Sequence, residues 1–163
     1  MKTLYIIRHA KSSWKDLSLD DFERPLNKRG QRDAPFMGKV LKGLHVKPDI
    51  ILSSPALRAK MTAEIIAKKV KYSKKILFID DIYEASAITL HRLLTKIDDK
   101  NSIAFLFGHN PGLNDLVEEY VDVDENIPTC GVVCIEFNAK SWSEISELNA
   151  KLISFDYPKK YLI

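Results

Sequence analysis

Short, unbroken apolar runs recur along the chain, and each stops at a polar or charged residue. Residues 4–7, 50–52 and 103–107 are among them. A run of that length reads as a strand buried on both faces, because a strand with one wet face alternates apolar and polar residues. Between the runs lie amphipathic stretches. Asn27 can cap a helix that extends to about Lys42, with Gly43 as its stop. Pro35 falls inside that helix and would remove an interior hydrogen bond. Pro48 precedes a strand at 49–52. Ser53, Ser54 and Pro55 open the next helix, whose apolar face is Met61, Ile65, Ile66 and Val70. Residues 76–79 form a third strand and 87–97 a helix. Residues 114–120 form another helix, after Pro111 and Gly112. Residues 131–137 and 151–155 are late strands, and 11–26 are a loop. The alternation predicts a three-layer α/β/α fold, with a mostly parallel central sheet and helices on both faces. The late strands lack an intervening helix and are expected to run antiparallel.

The 163 residues are 45% hydrophobic and 29% charged, which excludes wholesale disorder and predicts a single domain over 1–163. Net charge is only +3. That is a small basic excess for a nucleic-acid binder, and none is expected. Lys68, Lys69, Lys71, Lys74 and Lys75 read as a helix C-terminus and a solvated loop. No run approaches the roughly 18 apolar residues of a membrane span. The apolar stretch after Lys2 is also too short for a signal peptide, whose core needs about 7–15 residues. The expectation is a cytoplasmic protein with no membrane partner. Cys130 and Cys134, four apart in an expected strand, read as reduced and core-filling. The segment 157–163 could pack on the domain or on another subunit.

In open α/β sheets ligands bind outside the carboxyl ends of the strands. Arg8 and His9 follow the first apolar run. Ser53, Ser54 and, one turn on, Arg58 follow the second. Gly108, His109 and Asn110 follow the run at 103–107. Asp80, Asp81 and Glu84 follow the third strand. Each residue alone has an ordinary reading: His9 as a satisfied histidine, Arg8 as an ion pair, His109 as a turn residue. Together they occupy equivalent topological positions and compose an anion pocket, with arginine forks suited to phosphate oxygens. No P-loop, dinucleotide fingerprint or clustered metal ligands occur, and no cysteine stands in a phosphate-cradling loop. Histidine remains as the nucleophile for covalent phosphoryl transfer.

The segments around these residues resemble a known family. Leu4-Tyr5-Ile6-Ile7-Arg8-His9-Ala10-Lys11-Ser12 is similar to the Arg-His signature of the histidine phosphatase superfamily, also called phosphoglycerate-mutase-like. Residues 53–63, around Arg58, resemble its second arginine motif. Phe107-Gly108-His109-Asn110-Pro111-Gly112 resembles its second histidine motif. Residues 24–30 look like the lead into its first helix, and Pro128-Thr129-Cys130-Gly131 like the turn before a late strand. The short SixA-type phosphohistidine phosphatases are the most similar branch. Ala10 and Lys11 depart from the family's usual Gly and Glu.

The resemblance implies a metal-independent phosphatase with no cofactor. His9 would be the nucleophile, Arg8, Arg58 and His109 would hold the phosphoryl oxygens, and Glu84 would give the proton. Asp21 and Glu23 are the next candidates for that proton. Lys11 and Ser12 are counted with the substrate-binding residues. The short loops leave the pocket open, which suits a phosphorylated protein carrying phosphohistidine. A small phosphate ester is the alternative partner, and a non-catalytic phosphate-binding module the alternative of another class.

Overall fold

The computed structural model describes residues 1–161. It comprises β1 (Lys2–Arg8), α1 (Lys28–Gly43), β2 (Ile50–Ser53), α2 (Leu57–Lys69), β3 (Leu77–Phe78), α3 (Ala87–Thr95), β4 (Ile103–Gly108), α4 (Gly112–Tyr120), β5 (Val132–Phe137), β6 (Ala150–Asp156) and the short α5 (Pro158–Tyr161). One six-stranded sheet has the order β3-β2-β4-β1-β5-β6. β3, β2, β4 and β1 pair in parallel, whereas β5 runs antiparallel to β1 and β6 antiparallel to β5. This is the mostly parallel sheet with antiparallel late strands that the pattern predicts.

Both faces of the central strands β2, β4, β1 and β5 are covered, which is why most of them read as unbroken apolar runs. Ile7, Ile51, Phe105 and Phe107 pack against α1 and α2. Their neighbours Leu4, Ile6, Leu52 and Leu106 pack against α3 and α4. α1 starts where the Asn27 side chain accepts the Gly30 N–H at 2.9 Å. It runs through Pro35 because its inner face buries Met37 and Leu41. Each contributes about 1.5–3 kcal/mol, which offsets the roughly 3 kcal/mol of an interior proline.

Local details differ from the sequence expectation. Gly43 is still helical, and the chain turns at His45, in the left-handed region at φ 59. α2 begins at Leu57 rather than at Ser53, because Ser54 Oγ first closes a turn by accepting the Ala56 N–H. Its inner face is built from Ala59, Thr62, Ala63 and Ala67 beside Ile66, while Met61 and Ile65 are only half-buried. β3 is an exposed two-residue edge, paired only at Leu52–Leu77 and Ser53–Phe78. Cys130 precedes β5 at φ 61 instead of lying within a strand, and both cysteines are buried free thiols. The C-terminal segment lies on its own domain as far as Tyr161. That ring sits 5.9 Å from Phe36, and its hydroxyl donates to Asp156. Residues 162 and 163 lie outside the described residues. Among the described residues no helix is long and apolar enough to cross a membrane.

Register sets the site. Arg8 lies opposite Gly108, and Ser53 opposite Phe107. The carboxyl ends of β1, β2 and β4 therefore finish side by side, where a parallel sheet places its ligands.

Candidate active site

The end of β1 is held rigidly. His9 N–H donates to Gly108 O, and Cys130 N–H is within reach of both Arg8 O and His9 O. Thr62 Oγ1 accepts the Ala10 N–H at 2.9 Å and donates to Arg58 O at 2.7 Å, tying the first motif to the second. Ala10 is fully buried and keeps a negative φ, so the backbone there does not require glycine.

His9 is 7% exposed, and its Nδ1 lies 2.8 Å from Ala10 O. Only a protonated Nδ1 can bond a carbonyl, so Nε2 carries the free lone pair. Burial takes the His9 pKa down to about 3, with His109, Arg58 and Arg8 pushing the same way against the Ala10 carbonyl. The His109 ring packs 5.1 Å from His9. Burial first, then Arg58, lowers its pKa to about 4. Its Nε2 is 2.7 Å from Ser54 Oγ, and its buried Nδ1 has no partner among the described residues. Arg8 donates through Nη1 to Ile127 O and leaves Nε unpaired. Its pKa is lowered by burial and by Arg58, so the two guanidiniums are close enough to repel.

Arg58 is held by the first loop. Its Nη1 donates to Asp21 O at 2.7 Å and its Nη2 to Asp21 Oδ2 at 3.0 Å. The same carboxylate accepts from Tyr83 at 2.6 Å and from Arg24 at 2.9 Å. These bonds, the Tyr83 hydroxyl foremost, bring the Asp21 pKa down to about 2, against the opposing effect of burial. Asp21 is therefore a carboxylate at neutral pH. Tyr83 in turn packs edge-on against His109 and against Phe22.

A cavity of about 460 Å³ opens beside Arg58 and His109, lined also by Asp21, Tyr83, Glu84 and Asp115, while His9 and Arg8 do not line it. The loop thus partly roofs a pocket that the sequence suggests is open. Gly112 completes the wall, since a Cβ there would meet Ala85 O at 2.2 Å.

The other expected residues fall around this centre. Glu84 lines the cavity from an exposed turn at φ 56, and its side chain makes no hydrogen bond or ion pair among the described residues. Glu23 is exposed. Ser12 Oγ accepts from Arg24 Nη2, so it braces the loop rather than facing the cavity. Lys11 is exposed and lines a separate groove. Asp21, Tyr83, Ser54 and Arg24 are the contributors that sequence reading did not assign to holding the arginines and His109. Among the described residues no three His, Cys, Asp or Glu side chains gather to hold a metal.

Two histidines with depressed pKa values, His9 buried and His109 half-buried, fix a pH dependence of stability. The unfolded chain takes up a proton on each near pH 6.5, whereas the native state declines it until about 3 or 4. Stability therefore falls as pH drops below 6.5, by on the order of 1–2 kcal/mol for each histidine at pH 5. Urea unfolding of wild type and of His109→Asn at pH 7.5 and 5 checks this. The variant should lose less stability over that interval.

Comparison with known proteins places this geometry. Residues 4–105 match the sequence profile of the histidine phosphatase superfamily (branch 1). An uncharacterised chloroplast protein of Arabidopsis thaliana is 30% identical over 157 residues, which span 91% of this chain and 72% of that one. A structure from Agrobacterium tumefaciens, named as a candidate phosphohistidine phosphatase SixA, superposes with a TM-score of 0.83 at 26% identity, over 96% of this chain and 98% of the other. A SixA protein histidine phosphatase complexed with tungstate shares the fold at a TM-score of 0.83 and 19% identity, over 97% of this chain and 98% of that one.

Proposed function

The chain belongs to the histidine phosphatase superfamily, and on that premise we propose that this phosphatase removes the phosphoryl group from phosphohistidine in proteins. The observation that carries the reading is the neutral His9, with Nδ1 fixed on Ala10 O, placed against His109 and close to Arg8 and Arg58. Nε2 attacks phosphorus in line and forms a P–N bond as the bond to the leaving group breaks. Arg8 and Arg58 neutralise charge on the equatorial oxygens, which is most of what phosphoryl transfer asks of a protein. With the Ser54 hydroxyl donating to Nε2 of His109, the unpaired Nδ1–H of His109 becomes a further donor to an oxygen. Water then attacks the phosphoryl group on His9. The P–Nε2 bond breaks, phosphate leaves, and His9 returns to its neutral form.

The acid-base complement supports a nitrogen leaving group. Asp21 is held ionised, and Glu84 is an exposed carboxyl at the cavity edge. A phosphohistidine nitrogen takes its proton from solvent before departure, so it needs little from either. An alkyl oxygen needs a proton in the transition state, and general acid catalysis is typically worth about 10²–10⁴-fold. Glu84→Gln should therefore slow alkyl phosphates most, and phosphohistidine or aryl phosphates least, in kcat/KM.

The test of substrate class is a panel of phosphohistidine peptide, aryl phosphate and sugar phosphates assayed with excess chelator. Fastest turnover of the phosphohistidine peptide is expected, at undiminished rate with chelator present. Fastest turnover of a sugar phosphate would replace this reading with a small-metabolite phosphomonoesterase. Phosphate binding with no turnover of any substrate would make the chain a binding module.

A further inference from the structure

Beside the catalytic cavity lies a groove of about 550 Å³, and its charged lining is entirely basic: Lys11, Lys15, Lys28 and Arg29. All four are exposed. Arg29 reaches Asp33 at 3.5 Å, but the three lysines make no ion pair among the described residues. Asp16, the nearest carboxylate along the chain, is turned onto Ser18 by two hydrogen bonds. Trp14 also lines the groove. It is 65% exposed, yet it is fixed in place by the Arg24 guanidinium 3.4 Å from its ring centre.

The groove is built to stay put. Lys11 O accepts the Asn27 N–H, and Gly30 approaches so closely that a Cβ would meet that oxygen at 2.2 Å. It is separate from the catalytic cavity but tied to it through the chain and one ion-pair relay. Lys11 stands two residues beyond His9, and Arg24 bonds the Asp21 carboxylate that holds Arg58. The catalytic cavity carries Asp21, Glu84 and Asp115 on its own walls. Acidic residues flanking a phosphorylated side chain would be repelled there and drawn to the lysines.

We propose that this groove is a docking surface for an acidic protein segment adjoining the phosphorylated residue, with Trp14 as its apolar platform. The proposal deepens, and rests on, the reading of the chain as a protein phosphohistidine phosphatase. The contact is electrostatic and exposed, so it weakens with salt and acts mainly on encounter and KM.

The experiment separates docking from catalysis. Of the two tryptophans, Trp142 is fully buried, so acrylamide quenching reports Trp14. A non-phosphorylated glutamate-rich peptide should shield Trp14, and a lysine-rich peptide of equal length should not. The double variant Lys15→Glu/Lys28→Glu should weaken that binding about tenfold or more and leave kcat on an aryl phosphate unchanged. Phosphohistidine peptides with acidic flanks should show a KM about tenfold below that of basic-flanked ones, and the variant should erase the difference. Equal shielding by both peptides, or undiminished binding in the variant, would overturn the docking surface. Shielding by the acidic peptide without turnover of either phosphohistidine peptide would support the groove and sink the phosphohistidine reading instead.

Discussion

In His9→Ala, turnover should fall by on the order of 10⁴-fold or more, as when a covalent nucleophile is removed elsewhere, while the protein stays folded. The fold should survive because the backbone of His9 is pinned independently of its ring. Gly108 O accepts its N–H, and Cys130 N–H approaches its carbonyl. The ring itself contributes one side-chain hydrogen bond, to Ala10 O. Removing it also removes a histidine that resists protonation down to about pH 3, so the variant should be relatively more stable than wild type in mild acid. Two measurements check the claim together. Circular dichroism and urea unfolding should show a native-like fold. Rapid acid-free quenching of wild type with labelled substrate should leave an acid-labile, alkali-stable label on His9, absent from the variant. Label on another residue, or activity retained in His9→Ala, would remove the covalent mechanism.

The parts of this site that sequence made legible are those fixed by local position. Arg8, His9, Ser53, Ser54 and His109 stand directly at strand ends, and a parallel sheet in register brings such ends together. Arg58 is the second residue of α2, a few residues past the end of β2, so the same argument reaches it. What stayed hidden depends on where a loop folds back. Asp21 meets Arg58 across 37 residues and Tyr83 across 62, and no periodicity encodes a loop's return path. The only local trace is Arg24, a buried arginine in a polar loop, whose staple to Ser13 O and Asp21 sets that path. Glu84 shows the converse limit. Its place after the third strand is legible, but the turn that leaves it exposed at positive φ is not. The strand at 76–79 shrinks to the two residues that pair with Leu52 and Ser53.

Arg58 carries the second large expected effect. Arg58→Ala should lower kcat/KM by about 10²–10³-fold, the cost of deleting one preorganised donor to a charge-developing oxygen. Part of that loss should come from a residue that is still present. In wild type the Asp21 carboxylate is matched by Arg58 and Arg24. Without Arg58, a negative charge lines the cavity with one guanidinium removed, and it repels the incoming phosphate. Asp21→Asn alone loosens the grip on Arg58 and should cost about tenfold. Placed on the Arg58→Ala background, the same change should raise activity, because there it only removes repulsion. The sign of the Asp21→Asn effect thus reverses with its partner. Arg58→Lys, which keeps the charge but loses the two-pronged bond to Asp21, should fall between wild type and Arg58→Ala. A double-mutant cycle on kcat/KM with aryl phosphate reads all four corners. If Asp21→Asn costs the same factor with and without Arg58, Asp21 acts on the substrate directly and not by positioning the arginine.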